Sequence, residues 1–167
     1  MCRPSFPAAS VSCPTYRAEQ NVPFPKALAV SAWYRRPMRI ALLPLFVDDQ
    51  DRALAFYTGV LGFKKHRELP VGSYKWLTVL APDGPEDVEL TLEPNANPAA
   101  RAYQEALFEQ KIPAAAFKSK DVDAEHERLT AKGVVFTTAP TTRGSVRIAV
   151  FSDTCGNLIQ LFQPLPR

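Results

Sequence analysis

The chain has 167 residues, of which 46% are hydrophobic and 22% charged, and its formal net charge is +3. This length and mixture are typical of one globular domain with its own core and leave too few residues for two ordinary domains. No apolar run approaches the 18 or so residues of a membrane-spanning helix, so we predict no membrane partner.

Residues 1–37 differ in composition from the rest. They hold six of the 16 prolines, and their five basic residues against one acidic residue give +4, which leaves −1 for the remainder. A nearly neutral body lacks the basic face that nucleic acids require, so no nucleic-acid partner is predicted. The segment has three interpretations: a disordered Pro-rich tail, an upstream start with Met38 as the true first residue, or an organelle transit peptide.

Cysteine use favours a cytoplasmic location. Cys2 and Cys13 lie in the segment 1–37, which leaves Cys155 alone in the body, so no disulfide framework is predicted. Neither His66 nor His126 is tied to Cys155 by any sequence feature. The pattern therefore favours a structural thiol over a nucleophile.

The first repeat unit is predicted over residues 38–95. Its helix begins at Asp49, which is suited to cap it, and ends at Gly62, which adopts a left-handed conformation without strain. One buried helix face is indicated by apolar residues at three-to-four spacing: Ala53, Phe56, Tyr57 and Leu61. The predicted strands of the unit are, in chain order, RIALLPLFV, FKKHREL, YKWLTVLAP and DVELTLEP.

A linking helix is predicted over residues 97–111, with Asn97 as its cap and Pro113 beyond its end. Its predicted apolar stripe consists of Tyr103, Ala106 and Leu107.

The second unit, residues 112–163, repeats the order of strand, helix and three strands. Asp121 lies 72 positions after Asp49, and Gly133 takes the place of Gly62. Its segments are PAAAFKS, KDVDAEHERLTAKGV, VFTTAPT, VRIAVFS and NLIQLFQ. The two copies predict an α+β domain over residues 38–165, in which an open, curved mixed sheet forms a cup with helices on its convex face.

The two faces of each predicted strand differ in character. In the last strand of the first unit, one face is aliphatic and the other is formed by Glu89, Thr91 and Glu93. An aliphatic face packs against helices, whereas a face that mixes aromatic, aliphatic and a few polar groups has the composition of a ligand cavity. Trp76 offers a stacking platform on that second face, and a core tryptophan is the equal alternative.

The order and spacing of these segments resemble the vicinal oxygen chelate superfamily, which includes glyoxalase I, extradiol dioxygenases, fosfomycin-resistance enzymes and bleomycin-resistance proteins. The resemblance covers the whole body and is carried by VDDQDRALAFYTGVLGF and FSDTCGNLIQLF. In the second segment Thr154-Cys155 replaces the Pro-Asp of the usual closing turn. The resemblance implies a homodimer and a divalent metal bound by the first and last strand of each unit.

The family's four metal-ligand positions correspond to Leu42, Glu89, Ala114 and Gln160. Leu42 and Ala114 cannot coordinate a metal through their side chains, and one carboxylate with one amide is too few for a transition metal. His66 and His126 are interpreted as surface residues. We therefore predict no metal and no cofactor.

Three functions remain open at this point. The first is metal-independent binding of a small, partly aromatic molecule in the cup, for which bleomycin-resistance proteins are the family precedent. The second is a lyase, isomerase or dioxygenase-type enzyme that uses Glu89 as a base or a non-standard metal site. The third is a dimeric scaffold with a vestigial cup. The predicted ligand-binding residues are Leu42, Phe46, Trp76, Glu89, Thr91, Ala114, Gln160 and Phe162.

Overall fold

A computed structural model of the chain describes residues 39–166, so the interpretations of the segment 1–37 lie outside the described residues. The helices are α1 (Gln50–Ala55), α2 (Pro98–Glu109) and α3 (Val122–Ala131). The strands are β1 (Leu42–Val47), β2 (Lys64–Val71), β3 (Tyr74–Leu80), β4 (Glu89–Pro94), β5 (Ala115–Lys118), β6 (Phe136–Arg143), β7 (Val146–Ser152) and β8 (Leu158–Pro164). No helix within residues 39–166 is long and apolar enough to cross a membrane.

The strands form two four-stranded sheets with equivalent orders, β1-β4-β3-β2 and β5-β8-β7-β6. In each sheet the first strand of the unit runs parallel to the last, and the other neighbours are antiparallel. The predicted α+β class and its two βαβββ units are therefore confirmed. The mixed sheet is open and is divided into two four-stranded sheets.

Equivalent caps begin the helices of the two units. The Asp49 carboxylate accepts the backbone N–H groups of Asp51 and Arg52, both at 2.9 Å, and Asp121 does the same at the start of α3. These bonds satisfy donors that have no partner inside the helix. Gly62 and Gly133 follow the two helices with φ of 85° and 82°, as predicted.

A π-helical segment (Phe56–Val60) continues α1. Its wider turn is closed by the Leu61 N–H donating to the Phe56 carbonyl at 3.2 Å. Phe56 and Tyr57 are adjacent in sequence, yet both are buried, and their rings meet edge to face. The wider turn therefore supplies two aromatic side chains to the core from one place on the helix.

The core lies between the helices and one face of each sheet. The aliphatic strand positions face the helices, as the alternation predicts. The buried members of this core include Leu45, Val47, Leu77, Val79 and Leu92 from the first unit and Ala149, Phe151, Ile159 and Leu161 from the second. Ala53, Val122 and Leu129 cover them from the helices.

The predicted apolar stripe of α2 is wrong in one respect, because Tyr103 is 56% exposed and Gln104 is buried in its place. The Gln104 side-chain amide donates to the carbonyls of Phe46 at 2.7 Å and Cys155 at 2.9 Å. Those carbonyls lie at the end of β1 and in the turn before β8. Buried carbonyls need a donor, which an apolar side chain cannot supply.

The turn before β8 is joined to the first unit through a buried carboxylate, Asp153. Its Oδ2 accepts the Tyr57 hydroxyl at 3.0 Å and the Asn157 side-chain amide at 2.8 Å. Its Oδ1 accepts the backbone N–H groups of Cys155 and Asn157 at 2.8 and 2.9 Å. Burial raises the pKa of Asp153 and raises the pKa of Tyr57 well above its ordinary value, so the phenol remains a donor.

Cys155 lies in the same turn and is fully buried. Burial raises the pKa of its thiol to about 11, which keeps the sulfur protonated at neutral pH. This environment supports the structural interpretation of the thiol.

A second contact between the units involves cationic side chains from α3. The Arg128 guanidinium donates to the Val60 carbonyl at 3.0 Å, and the Lys132 ammonium donates to the carbonyls of Gly59 and Val60 at 3.1 Å. Cations at the carbonyl end of a helical segment are favoured by its dipole. The last π-helical carbonyls are thus satisfied from the other unit.

We expect Tyr57→Phe to lower the free energy of unfolding by about 1.5–3 kcal/mol, because the buried Asp153 carboxylate loses one donor. Urea denaturation followed by circular dichroism measures the change. Tyr74→Phe removes a hydroxyl from a half-exposed tyrosine and serves as the matched control, with little change expected. Equal effects of the two substitutions would contradict the assignment.

The raised pKa of Asp153 also predicts a pH dependence. A carboxyl group whose folded pKa is raised gives its full stabilising contribution below its ordinary pKa of 3.8 and loses it as pH rises through the folded pKa. We therefore expect the free energy of unfolding of the wild type, relative to Asp153→Asn, to fall over that range and then become constant. A difference that grows with pH in denaturation series would refute the assignment.

Candidate ligand-binding site

The face of the first sheet opposite α1, here called its open face, carries most of the predicted site residues. Strand pairing places Leu42 beside Glu89 and Thr78 beside Thr91, while Trp76 pairs with Leu69 of β2. Paired residues project to the same face of a sheet. Thr91 and Glu89 are buried there, Trp76 is half-buried, and Leu42 is exposed.

A β-bulge at His66 re-aims two consecutive side chains of β2. Lys65 pairs with Val79 and Arg67 with Thr78, so His66 is the extra residue. Neighbours in a regular strand point to opposite faces, whereas a bulge breaks that alternation. As a result, His66 and Arg67 both reach Glu89.

The Glu89 carboxylate is recessed in this face, with only 10% of its side chain exposed. Its Oε1 lies 3.2 Å from Arg67 Nη2 and 3.8 Å from His66 Nε2. Its Oε2 is buried and has no hydrogen-bond partner among residues 39–166. Arg67 and His66 therefore both contact Oε1, and neither donates a hydrogen bond to Oε2.

An unsatisfied buried acceptor costs about 1–3 kcal/mol, and more when the group is charged. Arg67 does little to offset this cost, since its side chain is 57% exposed and water screens an exposed ion pair. A hydrogen-bond donor from outside the chain would therefore lower the free-energy cost of burying Glu89. An unsatisfied buried polar group of this kind calls for an explanation, and a functional role is one.

The predicted residues of the second unit lie on a different sheet. Gln160 pairs with Ala116 and Val150, and Phe162 pairs with Ile148. Within residues 39–166, no hydrogen bond or ion pair joins Gln160 to Glu89. The structure thus brings Leu42, Trp76, Glu89 and Thr91 onto one sheet face and leaves Gln160 and Phe162 on the other sheet.

Strand register also changes the counterpart of Glu89. Leu42 pairs with Glu89 in the first sheet, whereas the Ala114 N–H donates to the Leu158 carbonyl at 2.9 Å and Ala115 pairs with Ile159. Leu158 therefore stands beside Ala114 where the sequence repeat suggested Gln160. The second unit then offers no side-chain ligand at either of its two positions.

Ala114 instead lines a cavity of about 190 Å³ between β1 and α2. Phe46 and Tyr103 form its aromatic wall, with ring centroids 6.4 Å apart in an edge-to-face arrangement. The polar side chains in the wall, Gln104 and Asn157, are already hydrogen-bonded to backbone carbonyls. This cavity is apolar and lacks a free polar anchor.

The donor set does not fit the divalent metal that the fold family implies. Glu89 is the one carboxylate at the four positions, and its Oε1 already faces Arg67. Within residues 39–166, no three His, Cys, Asp or Glu side chains are grouped so as to hold a metal ion. Transition metals in proteins need three or four such ligands.

Sequence reasoning missed His66 and Arg67, the two residues that contact Glu89. Their role depends on the bulge, which is a feature of strand pairing and has no local sequence signal. His126 is also placed differently from a free surface residue, since its ring packs against Phe136 with centroids 4.4 Å apart.

We expect Glu89→Met to raise the free energy of unfolding by about 1 kcal/mol or more, because it replaces a buried, partly unsatisfied carboxylate with an apolar side chain of similar length. Chemical denaturation measures the change. Glu86→Met, in an exposed loop, is the control and should shift the value by less than about 0.5 kcal/mol. A large loss of stability in Glu89→Met would show that the ion pair is structural.

Comparison with known proteins agrees with this architecture. The chain is 51% identical over 126 residues to the uncharacterized protein YurT of Bacillus subtilis, covering 75% of this chain and 99% of YurT. It is 29% identical over 126 residues to a lactoylglutathione lyase of Salmonella typhimurium, covering 75% of this chain and 93% of the lyase. The structure of TnmS3, an antibiotic binding protein from Streptomyces sp. CB03234, matches at 31% identity and a TM-score of 0.62, covering 77% of this chain and 97% of TnmS3. Residues 39–161 match the family model of the Glyoxalase/Bleomycin resistance protein/Dioxygenase superfamily, and the chain belongs to that superfamily.

Proposed function

We propose that this chain binds a small, partly aromatic molecule on the open face of the first sheet and does so without a metal ion. The observation that carries the proposal is the recessed Glu89 carboxylate. One of its oxygens meets no donor from the residues that the structure describes, and the side chain lies on the same sheet face as Trp76. An apolar surface with a few fixed polar groups is the usual composition of a small-molecule site.

The residues of this face divide into two roles. Trp76 is the stacking surface, since its half-buried ring is held by the strand and still reaches solvent. Glu89 and Thr91 are the polar anchors, and Leu42 and Phe46 extend the apolar surface along β1. We propose that Ala114, Gln160 and Phe162 contribute from the second unit, in a cytoplasmic homodimer.

Similarity to TnmS3 supports a binding function. That protein is described as antibiotic-binding, and it shares 31% of its aligned residues with this chain over nearly its whole length. The lack of a suitable set of metal ligands around Glu89 also supports binding, because stacking and hydrogen bonds require no metal.

The second candidate is a lyase of the glyoxalase type. It is favoured by the 29% identity to lactoylglutathione lyase and by a buried carboxylate suited to proton transfer. Turnover of the methylglyoxal–glutathione adduct in the presence of added divalent metals, abolished by Glu89→Gln, would establish this candidate in place of the first.

A thermal-shift screen of aromatic antibiotics tests the binding proposal, and we expect at least one compound to raise Tm. For that compound we expect quenching of Trp76 fluorescence, measured in a Trp33→Phe background so that Trp76 is the sole tryptophan. Trp76→Ala should weaken binding by about fivefold or more, since stacking of an aromatic ring on a side chain is worth about 1–3 kcal/mol.

The control for that measurement is Phe108→Ala. This substitution removes an exposed aromatic side chain that lies on α2 and not on a strand of the first sheet. It should leave the affinity unchanged. Equal affinity in Trp76→Ala and wild type would remove the stacking role, and stoichiometric metal in protein purified without added metal would overturn the metal-free proposal.

A further inference from the structure

The Glu89 site carries a more specific inference about the ligand, which rests on the proposed function. We infer that Glu89 Oε2 accepts a hydrogen bond from a neutral N–H or O–H group of an aromatic ligand. The bound molecule is thereby assigned to a chemical class, that of neutral aromatic hydrogen-bond donors.

The two oxygens of the Glu89 carboxylate differ in their contacts. Oε1 has Arg67 at 3.2 Å and His66 at 3.8 Å, whereas Oε2 is buried and has no partner in the described part of the chain. Nine-tenths of the side chain is out of contact with bulk solvent. An ionised carboxylate is an acceptor only, and a ligand atom that meets Oε2 must therefore be a donor.

The charges around Glu89 favour a neutral donor. The Arg67 guanidinium lies 3.2 Å from Oε1 and places a positive charge beside the carboxylate. A cationic ligand would meet Arg67 and, in its protonated form, His66. An anionic ligand would meet the carboxylate itself. A neutral N–H or O–H group satisfies Oε2 without either repulsion.

A ligand reaches the buried oxygen of Glu89 by displacing exposed side chains. Arg67 and His66 cover the carboxylate, and their side chains remain 57% and 35% exposed. Exposed side chains change rotamer on a picosecond-to-nanosecond timescale. By contrast, Glu89 is fixed by its strand, where its backbone N–H donates to the Ala41 carbonyl at 2.8 Å. The side chains of Arg67 and His66 can therefore move aside, while the backbone at Glu89 stays in place. A polar group held by a rigid strand favours selective binding.

The test uses four indole probes that differ at one group each: indole, 1-methylindole, tryptamine and indole-3-acetate. Dissociation constants are measured by ¹H–¹⁵N NMR titration of the full chain. We expect indole to bind about tenfold or more tightly than 1-methylindole, because methylation removes the single donor, and a bond to a charged acceptor corresponds to at least that ratio. We expect neither charged probe to bind more tightly than indole.

Glu89→Gln tests the residue, since it replaces one carboxylate oxygen with a donor. The preference for indole over 1-methylindole should fall to less than about threefold in this variant. Glu86→Gln makes the same chemical change in an exposed loop and should keep the full preference. Circular dichroism of both variants confirms that they are folded.

The outcomes separate this inference from the proposed function. Equal binding of indole and 1-methylindole, both weakened by Trp76→Ala, would overturn the donor inference and leave aromatic binding standing. Tightest binding of indole-3-acetate would assign Arg67 as the anchor and also overturn it. No binding of any probe would overturn the inference together with the proposed function for this ligand class.

Discussion

The two units of this fold depend on one buried carboxylate. Asp153 accepts the Tyr57 hydroxyl from the helix of the first unit and two backbone N–H groups from its own turn. A carboxylate in an apolar core is costly unless its oxygens are hydrogen-bonded, and here both oxygens are. Because the π-helical segment presents Tyr57 inward, the position of the turn before β8 is set by the helix of the other unit.

Asp153 and Glu89 are both deeply buried carboxylates, and they differ in how many of their oxygens accept hydrogen bonds. Every oxygen of Asp153 has donors from the chain, which is the pattern of a structural group. One oxygen of Glu89 has no donor from residues 39–166. The contrast within one molecule shows that the fold is able to satisfy a buried carboxylate, and it is the reason why we propose that a ligand meets the second oxygen of Glu89.

Much of the fold is predictable from sequence because its signals are local and repeated. Asp49 and Asp121 mark the helix starts, Gly62 and Gly133 mark their ends, and alternation identifies the aliphatic strand faces. The buried Gln104 was missed because its place in the core depends on two distant carbonyls that need a donor. A hydrophobic pattern carries no information about such a requirement.

The site was predictable only in part, for the same reason. Alternation placed Glu89, Thr91 and Trp76 on the open face, while the bulge that brings His66 and Arg67 to Glu89 is set by pairing with β3. Pairing also decides that Leu158, and not Gln160, stands beside Ala114. Register between strands that are distant in sequence is a tertiary property, and one residue of slip changes which side chains share a face.

We propose that Glu89 and Trp76 hold an organic molecule and that no metal takes part. Native mass spectrometry of protein purified without chelator or added metal measures both kinds of adduct in one experiment. We expect organic adducts on the wild type that are absent from Trp76→Ala, and we expect the mass of both proteins to show no bound metal. A stoichiometric divalent metal on the wild type that disappears in Glu89→Gln would contradict the proposal.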